Sequence, residues 1–262
     1  MQPEVESIQV GRPQQFVAEG DSSRLWSSAI IKQVVTGRVL AGFHGMAWDE
    51  QSDRLHHGGP DKAVLAYASR HYSFWADRYP VSGFAPGAFG ENLTISGIDE
   101  STCCLGDVYE IGGCLLEISQ PRQPCWKLSM RWGISGLAKE VQDLRRTGWY
   151  MRVLREGLIE AGDTVELQAR PHPDISVMWA LDVMYAKPRS PGDDARLASL
   201  PALSLAWRTA LQSRAASQQP ASDGQRLSGE SALQVDESDR KRESEGRPSD
   251  PGPKGGSPAT AI

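Results

Sequence analysis

The sequence predicts a mainly β fold with inserted helices, an α+β β-barrel or closed sheet, followed by a small three-helix module and a disordered C-terminal tail. Three observations carry this. Over residues 1–170, short runs rich in β-branched and aromatic residues recur between glycine turns, which favours a barrel over βαβ units. From about residue 174, apolar residues fall at helical spacing instead. From about Ala215 aromatics vanish, and Ser, Pro, Gly and mixed charges run to Ile262, a composition that cannot offset its ordering entropy. The divisions are therefore 1–170, 171–214 and 215–262, with Pro171-His172-Pro173 as the first boundary.

In chain order, residues 7–18 suggest a strand broken by a Gly-Arg-Pro turn. Residues 27–36 form a second, which Gly37-Arg38-Val39-Leu40 extends after a glycine bulge. Residues 42–53 lack periodicity and predict a loop. Residues 63–67 are a buried strand, and Ser69 caps a helix over 70–78 that Pro80 stops. One continuous helix from Asp61 fits the same apolar stripe, and its aromatics are core. Residues 104–113 predict a strand and a Gly-Gly hairpin feeding a strand at 115–118. Ile134, Leu137, Ala138, Val141 and Leu144 predict a helix with Gly148 as C-cap. Strands follow at 149–154 and 164–167. Three helices, around 177–184, 194–200 and 203–210, are too small to fold alone and should dock on the barrel or on a partner.

The chain of 262 residues carries a net charge of -5. That argues against a nucleic-acid binder held by phosphate contacts. No apolar run approaches a membrane span, and no signal peptide is visible, so a cytoplasmic location is expected. The four cysteines, at 103, 104, 114 and 125, show no zinc-finger spacing, and reduced thiols are the default. Strand-edge packing accounts for Cys103-Cys104.

The segment Ser119-Gln120-Pro121-Arg122-Gln123-Pro124-Cys125-Trp126-Lys127 concentrates chemistry. Pro121 and Pro124 stiffen the backbone around one cysteine. Arg122 and Lys127, if near it in space, favour the thiolate, the form that attacks or binds a soft metal. The competing reading is a small buried hydrophobe. A second stretch, His56-His57-Gly58-Gly59-Pro60-Asp61-Lys62, places ionisable groups on a tight turn. Successive side chains on a strand point apart, so a polar-ligand role is favoured over a metal-ligand role there. A third, Pro86–Ile95, offers Asn92 either to a flat heterocycle edge or to an Asx-turn.

HHGGPDKAV, PGAFGENLT, SQPRQPCWKL and GWYMRVL occur in that order. With them the chain resembles the MOSC domain family, specifically its branch of 6-hydroxylaminopurine resistance proteins. The resemblance implies a MOSC-type β-barrel, a molybdenum cofactor of molybdopterin type, and Cys125 as the molybdenum ligand. It implies an oxidoreductase acting on N-hydroxylated bases and amidoximes. Electrons would come from a separate flavin or iron–sulfur reductase, because the chain shows neither a dinucleotide fingerprint nor an iron–sulfur pattern. Cations should line the phosphate-bearing cofactor's pocket: Arg122, Lys127, Lys32 and Arg131. His57, with His56 second, would hydrogen-bond the pterin or deliver a proton. Asn92 would read the pterin edge. A non-catalytic carrier of cofactor or sulfur is the alternative.

Overall fold

Burial alternates over Glu4–Ser7 of the first strand, β1 (Glu4–Val10), and then breaks step, so that Val5 and Ile8 both enter the core. The ladder to β8 (Leu93–Ser96) slips between Val5 and Ser7. That bulge inserts one residue and reverses the facing of the rest of the strand. The computed structural model describes residues 2–18, 21–52, 58–81, 83–216 and 223–228. A hairpin of β2 (Gln14–Ala18) and β3 (Asp21–Ser28) comes next, then β4 (Gln33–Val35). β5 (Val39–Gly42), β6 (Gly45–Met46) and β12 (Gly157–Ile159) form a small separate sheet. The main sheet adds β7 (Val64–Ala68), β9 (Val108–Ile111), β10 (Cys114–Pro121), β11 (Trp149–Arg155) and β13 (Val165–Ala169).

Its strand order is β13-β9-β10-β11-β7-β8-β1-β4. The Val5 amide donates to the Asp163 carbonyl at 2.9 Å, and the Val165 amide donates to the Pro3 carbonyl at 2.8 Å. A bridge pairs Glu4 with Thr164. These contacts join the first and last strands of the chain and close the sheet on itself at the start of β1, while β4 stays at an edge, paired with β1 alone among the described strands. β7 is buried along its whole length. Val64, Ala66 and Ala68 point into the barrel, while Tyr67 points outward into a second, aromatic core.

That outer core is built by α1 (His71–Arg78), α2 (Trp126–Trp132), α3 (Leu137–Asp143) and the Phe84–Phe89 turn. The three-helix module is α4 (Val177–Tyr185), α5 (Pro191–Ala198) and α6 (Leu205–Ala216). Ser176 caps α4 by accepting from the Trp179 amide, and Ser190 does the same for α5, whose first residue is Pro191. Trp207 and Leu211 enter the barrel's own core. The module is thus docked on the sheet.

Several expectations are corrected. Residues 29–32 interrupt the single strand expected over 27–36, and Gly37 turns the chain into a different sheet rather than bulging one strand. The Ser69 hydroxyl donates to Glu6 and does not accept from the helix, which starts without a side-chain cap. Gly148 is not a helix cap. It has φ +74° and opens β11, where a Cβ would lie 2.3 Å from the Ala66 carbonyl oxygen. Helix α2 was unanticipated, because its apolar residues Trp126, Leu128, Met130 and Trp132 recur every second residue and so show no helical stripe. Disorder does not describe all of 215–262: α6 runs to Ala216, and Asp223–Ser228 forms a short helix, α7. Leu227 packs on the outer core, which stabilises a segment whose composition alone promises nothing.

Candidate functional site

The end of β10 is shaped by a second bulge. Ile118 pairs with Met151 and Gln120 with Tyr150, so Ser119 is the extra residue. The Ser119 hydroxyl donates to the Asp61 carbonyl at 2.5 Å. The strand then leaves the sheet through the two prolines. The Arg122 amide donates to the Gly148 carbonyl at 3.0 Å, which ties the loop to β11. Gly148 in turn donates to the buried Glu100 carboxylate at 2.7 Å, and His71 meets the other Glu100 oxygen. Cys125 comes next, with extended backbone at the N-cap of α2.

Cys125 is half-buried, whereas the other three thiols are buried. Burial raises the pKa of all three, pushing Cys114 up to about 12. Cys125 instead lines an open cleft. Lys32, Lys62, Arg122, Lys127, Asp49 and Tyr150 are among the residues lining it. The small-hydrophobe reading of Cys125 therefore does not describe its setting.

Three of the four expected cations reach the cleft. Arg122 is 6% exposed. Its Nη1 is buried without a partner, and among the described residues none accepts a hydrogen bond from its guanidinium. Lys32 lies 2.6 Å from the Asp49 carboxylate, with both side chains buried. Burial lowers its pKa, against the opposing pull of Asp49. Asp49 also accepts from the Gly11 amide at 2.7 Å. Lys127 stands over the Trp126 ring, which meets Trp26 edge-on, and Trp26 stacks on Phe16 at 4.4 Å.

Arg131 does not line the cleft. Its Nη1 donates to the Ile30 and Gly87 carbonyls at 2.6 and 2.7 Å, so it braces the wall, and burial lowers its pKa. Asn92 touches the cleft, but its amide is a strand brace. Its Oδ1 accepts from the Leu65 amide at 3.1 Å, and its Nδ2 donates to the Gln9 carbonyl at 3.2 Å. Neither the free heterocycle reader nor the Asx-turn describes it. His56 and His57 lie outside the described residues.

Sequence reasoning missed Tyr150, Asp49 and Glu91. Trp149, Met151 and Val153 fill the barrel, so strand alternation turns Tyr150 outward to the cleft. That signal was available. Burial raises the Tyr150 pKa, which keeps the phenol protonated. Asp49 sits in a loop without pattern, and nothing in its neighbourhood marks it. Glu91 is fully buried and accepts from the Gly87 and Phe89 amides, the Thr94 hydroxyl and the Tyr72 hydroxyl. It organises the turn that carries Phe89 and Gly90 to the cleft.

The site therefore joins the half-buried Cys125 to a guanidinium whose buried Nη1 has no partner among the described residues, and to further cations. Such a set suits a soft-metal or electrophilic centre carried by an anionic group. Among the described residues no cluster of three or more His, Cys, Asp or Glu is arranged to hold a metal ion.

The model of the MOSC domain matches residues 53–166. Protein YiiM of Escherichia coli is 36% identical over 189 residues, covering 71% of this chain and 84% of its own length. The crystal structure of YiiM from Geobacillus stearothermophilus superposes with a TM-score of 0.69 at 36% identity, over 81% of this chain and 99% of that one. A Gibberella moniliformis protein named "Reductase" is 38% identical over 164 residues, which cover 62% of this chain but 29% of its own length. The chain belongs to the MOSC domain family, in its YiiM-like branch.

Proposed function

We propose that the protein binds a molybdenum cofactor of molybdopterin type and reduces N-hydroxylated compounds, such as hydroxylaminopurines and amidoximes. The observation that carries this is the Cys125 thiol on a cleft whose wall holds Arg122 with an unpartnered buried nitrogen. A lone thiolate suits a metal whose other ligands come from its own cofactor. A buried guanidinium suits a phosphate, which accepts its planar fork of donors. The name of the fungal relative supports a redox role.

In this reading Cys125 ligates the molybdenum, and Arg122, Lys127 and Lys32 hold the cofactor's anionic end. The bound cofactor supplies two-electron redox chemistry. The net reaction takes R–NHOH, two electrons and two protons to R–NH2 and water. The electrons come from a separate flavin or iron–sulfur reductase. The Tyr150 hydroxyl, kept protonated by burial, would offer a hydrogen bond to a group bound in the cleft. His57 is the proposed source of the proton for the leaving oxygen.

The test is steady turnover. Molybdenum-loaded protein, supplied with an amidoxime and a chemical electron donor, should produce amidine over many cycles, and Cys125→Ser should abolish it. Conversion that stops at one equivalent per chain would exclude the reductase and leave a carrier of cofactor or sulfur, and turnover unchanged by Cys125→Ser would remove Cys125 from the reaction.

A further inference from the structure

Helix α7 comes from the tail, yet it touches the Cys125 loop. Arg226 donates from Nη1 to the Pro124 carbonyl and from Nη2 to Gln142 Oε1 at 2.5 Å. Its guanidinium lies 6.0 Å from the Tyr185 ring centroid. The Tyr185 hydroxyl accepts from Gln123 Nε2 at 3.3 Å. One side chain thus joins the loop, helix α3 and helix α4. Leu227, the next residue, packs on the outer core.

We propose that α7 is an internal strap on the Cys125 loop and that Arg226 is the positioning residue through which it acts. Proline fixes φ at Pro124, so the main rotation left to that residue is about ψ, which swings the peptide plane joining Pro124 to Cys125. A hydrogen bond to the Pro124 carbonyl holds that plane, and with it the direction in which Cys125 leaves the loop. Pro124 has no amide hydrogen with which to anchor itself. A guanidinium fits this place because its flat fork serves two acceptors while its charge stays near an aromatic ring, which an ammonium does less well. The strap's consequence for catalysis rests on the reading of Cys125 given above, while its effect on the thiol does not.

The other three cysteines are buried, so a bulky thiol reagent reports on Cys125. In cofactor-free full-length protein, Arg226→Ala should raise the rate of Cys125 alkylation by about tenfold, as expected when one charge-assisted contact restraining a loop is lost. Arg226→Lys should fall between it and wild type, and Gln142→Leu should also raise the rate. A chain ending at Ala216 should behave like Arg226→Ala, with little change in melting temperature. An unchanged or slower rate in both Arg226→Ala and the shortened chain overturns the proposal. So does a shortened chain that fails to fold, because α7 is then part of the fold and not a strap. Molybdenum retention on dialysis separates the two readings. Faster alkylation of the variants with weaker molybdenum retention supports both, and faster alkylation of the variants of a protein whose wild type never holds molybdenum leaves the strap and removes the reductase.

Discussion

Replacing Arg122 by methionine should make the ligand-free protein more stable. Arg122 is 6% exposed, its Nη1 has no partner, and no described residue accepts from its guanidinium. An unsatisfied buried donor costs about 1–3 kcal/mol, and more when charged. Methionine keeps most of the apolar stem and its packing. The backbone bond from Arg122 to Gly148 is untouched by the change. A net gain of about 1–2 kcal/mol is expected once the lost stem contacts are subtracted. For a domain of this size that is a rise of about 3–6 °C in Tm. The assay is thermal unfolding of protein made in cells unable to synthesise the pterin cofactor. The same variant should hold a phosphate-bearing cofactor at least about tenfold less tightly, since a charge-assisted hydrogen bond contributes about 1.5–3 kcal/mol. A fall in Tm of more than about 3 °C, roughly 1 kcal/mol at this size, would refute the reasoning. Arg122 would then be a brace of the fold and not a group awaiting a ligand.

Neighbouring geometry yields further expected outcomes. Asp49→Asn leaves the buried Lys32 charge without its partner and should cost about 3–5 kcal/mol in urea unfolding, most of it recovered in the double variant with Lys32→Met. Burial lowers the Lys32 pKa in the folded chain. Between that depressed value and the ordinary 10.5, the unfolded chain binds more protons, so the Lys32 contribution to stability rises with pH. Urea unfolding of wild type against Lys32→Met should show that rise only in wild type, and parallel curves would contradict it. Gly148→Ala forces a side chain into φ +74° and to 2.3 Å from the Ala66 carbonyl oxygen. A loss of about 3 kcal/mol or more in chemical denaturation is expected, with intact stability contradicting the close approach.

The legible parts of this chain were those that a short window decides. The hairpin at Gly112-Gly113 and the strand that became β7 each rest on neighbouring residues. Cys125 was legible for the same reason, since two prolines and two cations lie within four residues of it. The hidden parts depend on distant partners. Gly148 looks like a helix cap until β7 is placed against it. Asn92 offers a free amide until Gln9 and Leu65 bracket it. Arg131 and Lys32 are equivalent cations in sequence, yet two carbonyls take one and Asp49 turns the other to the cleft. Helix α7 exists through Leu227 and Arg226, whose partners lie far away in the chain.

Metal analysis of the purified protein bears most directly on the role of Cys125. Full-length protein from cells that make the cofactor should carry close to one molybdenum per chain, and Cys125→Ser should carry almost none while melting at the same temperature. No molybdenum in either protein, or equal amounts in both, would contradict the account.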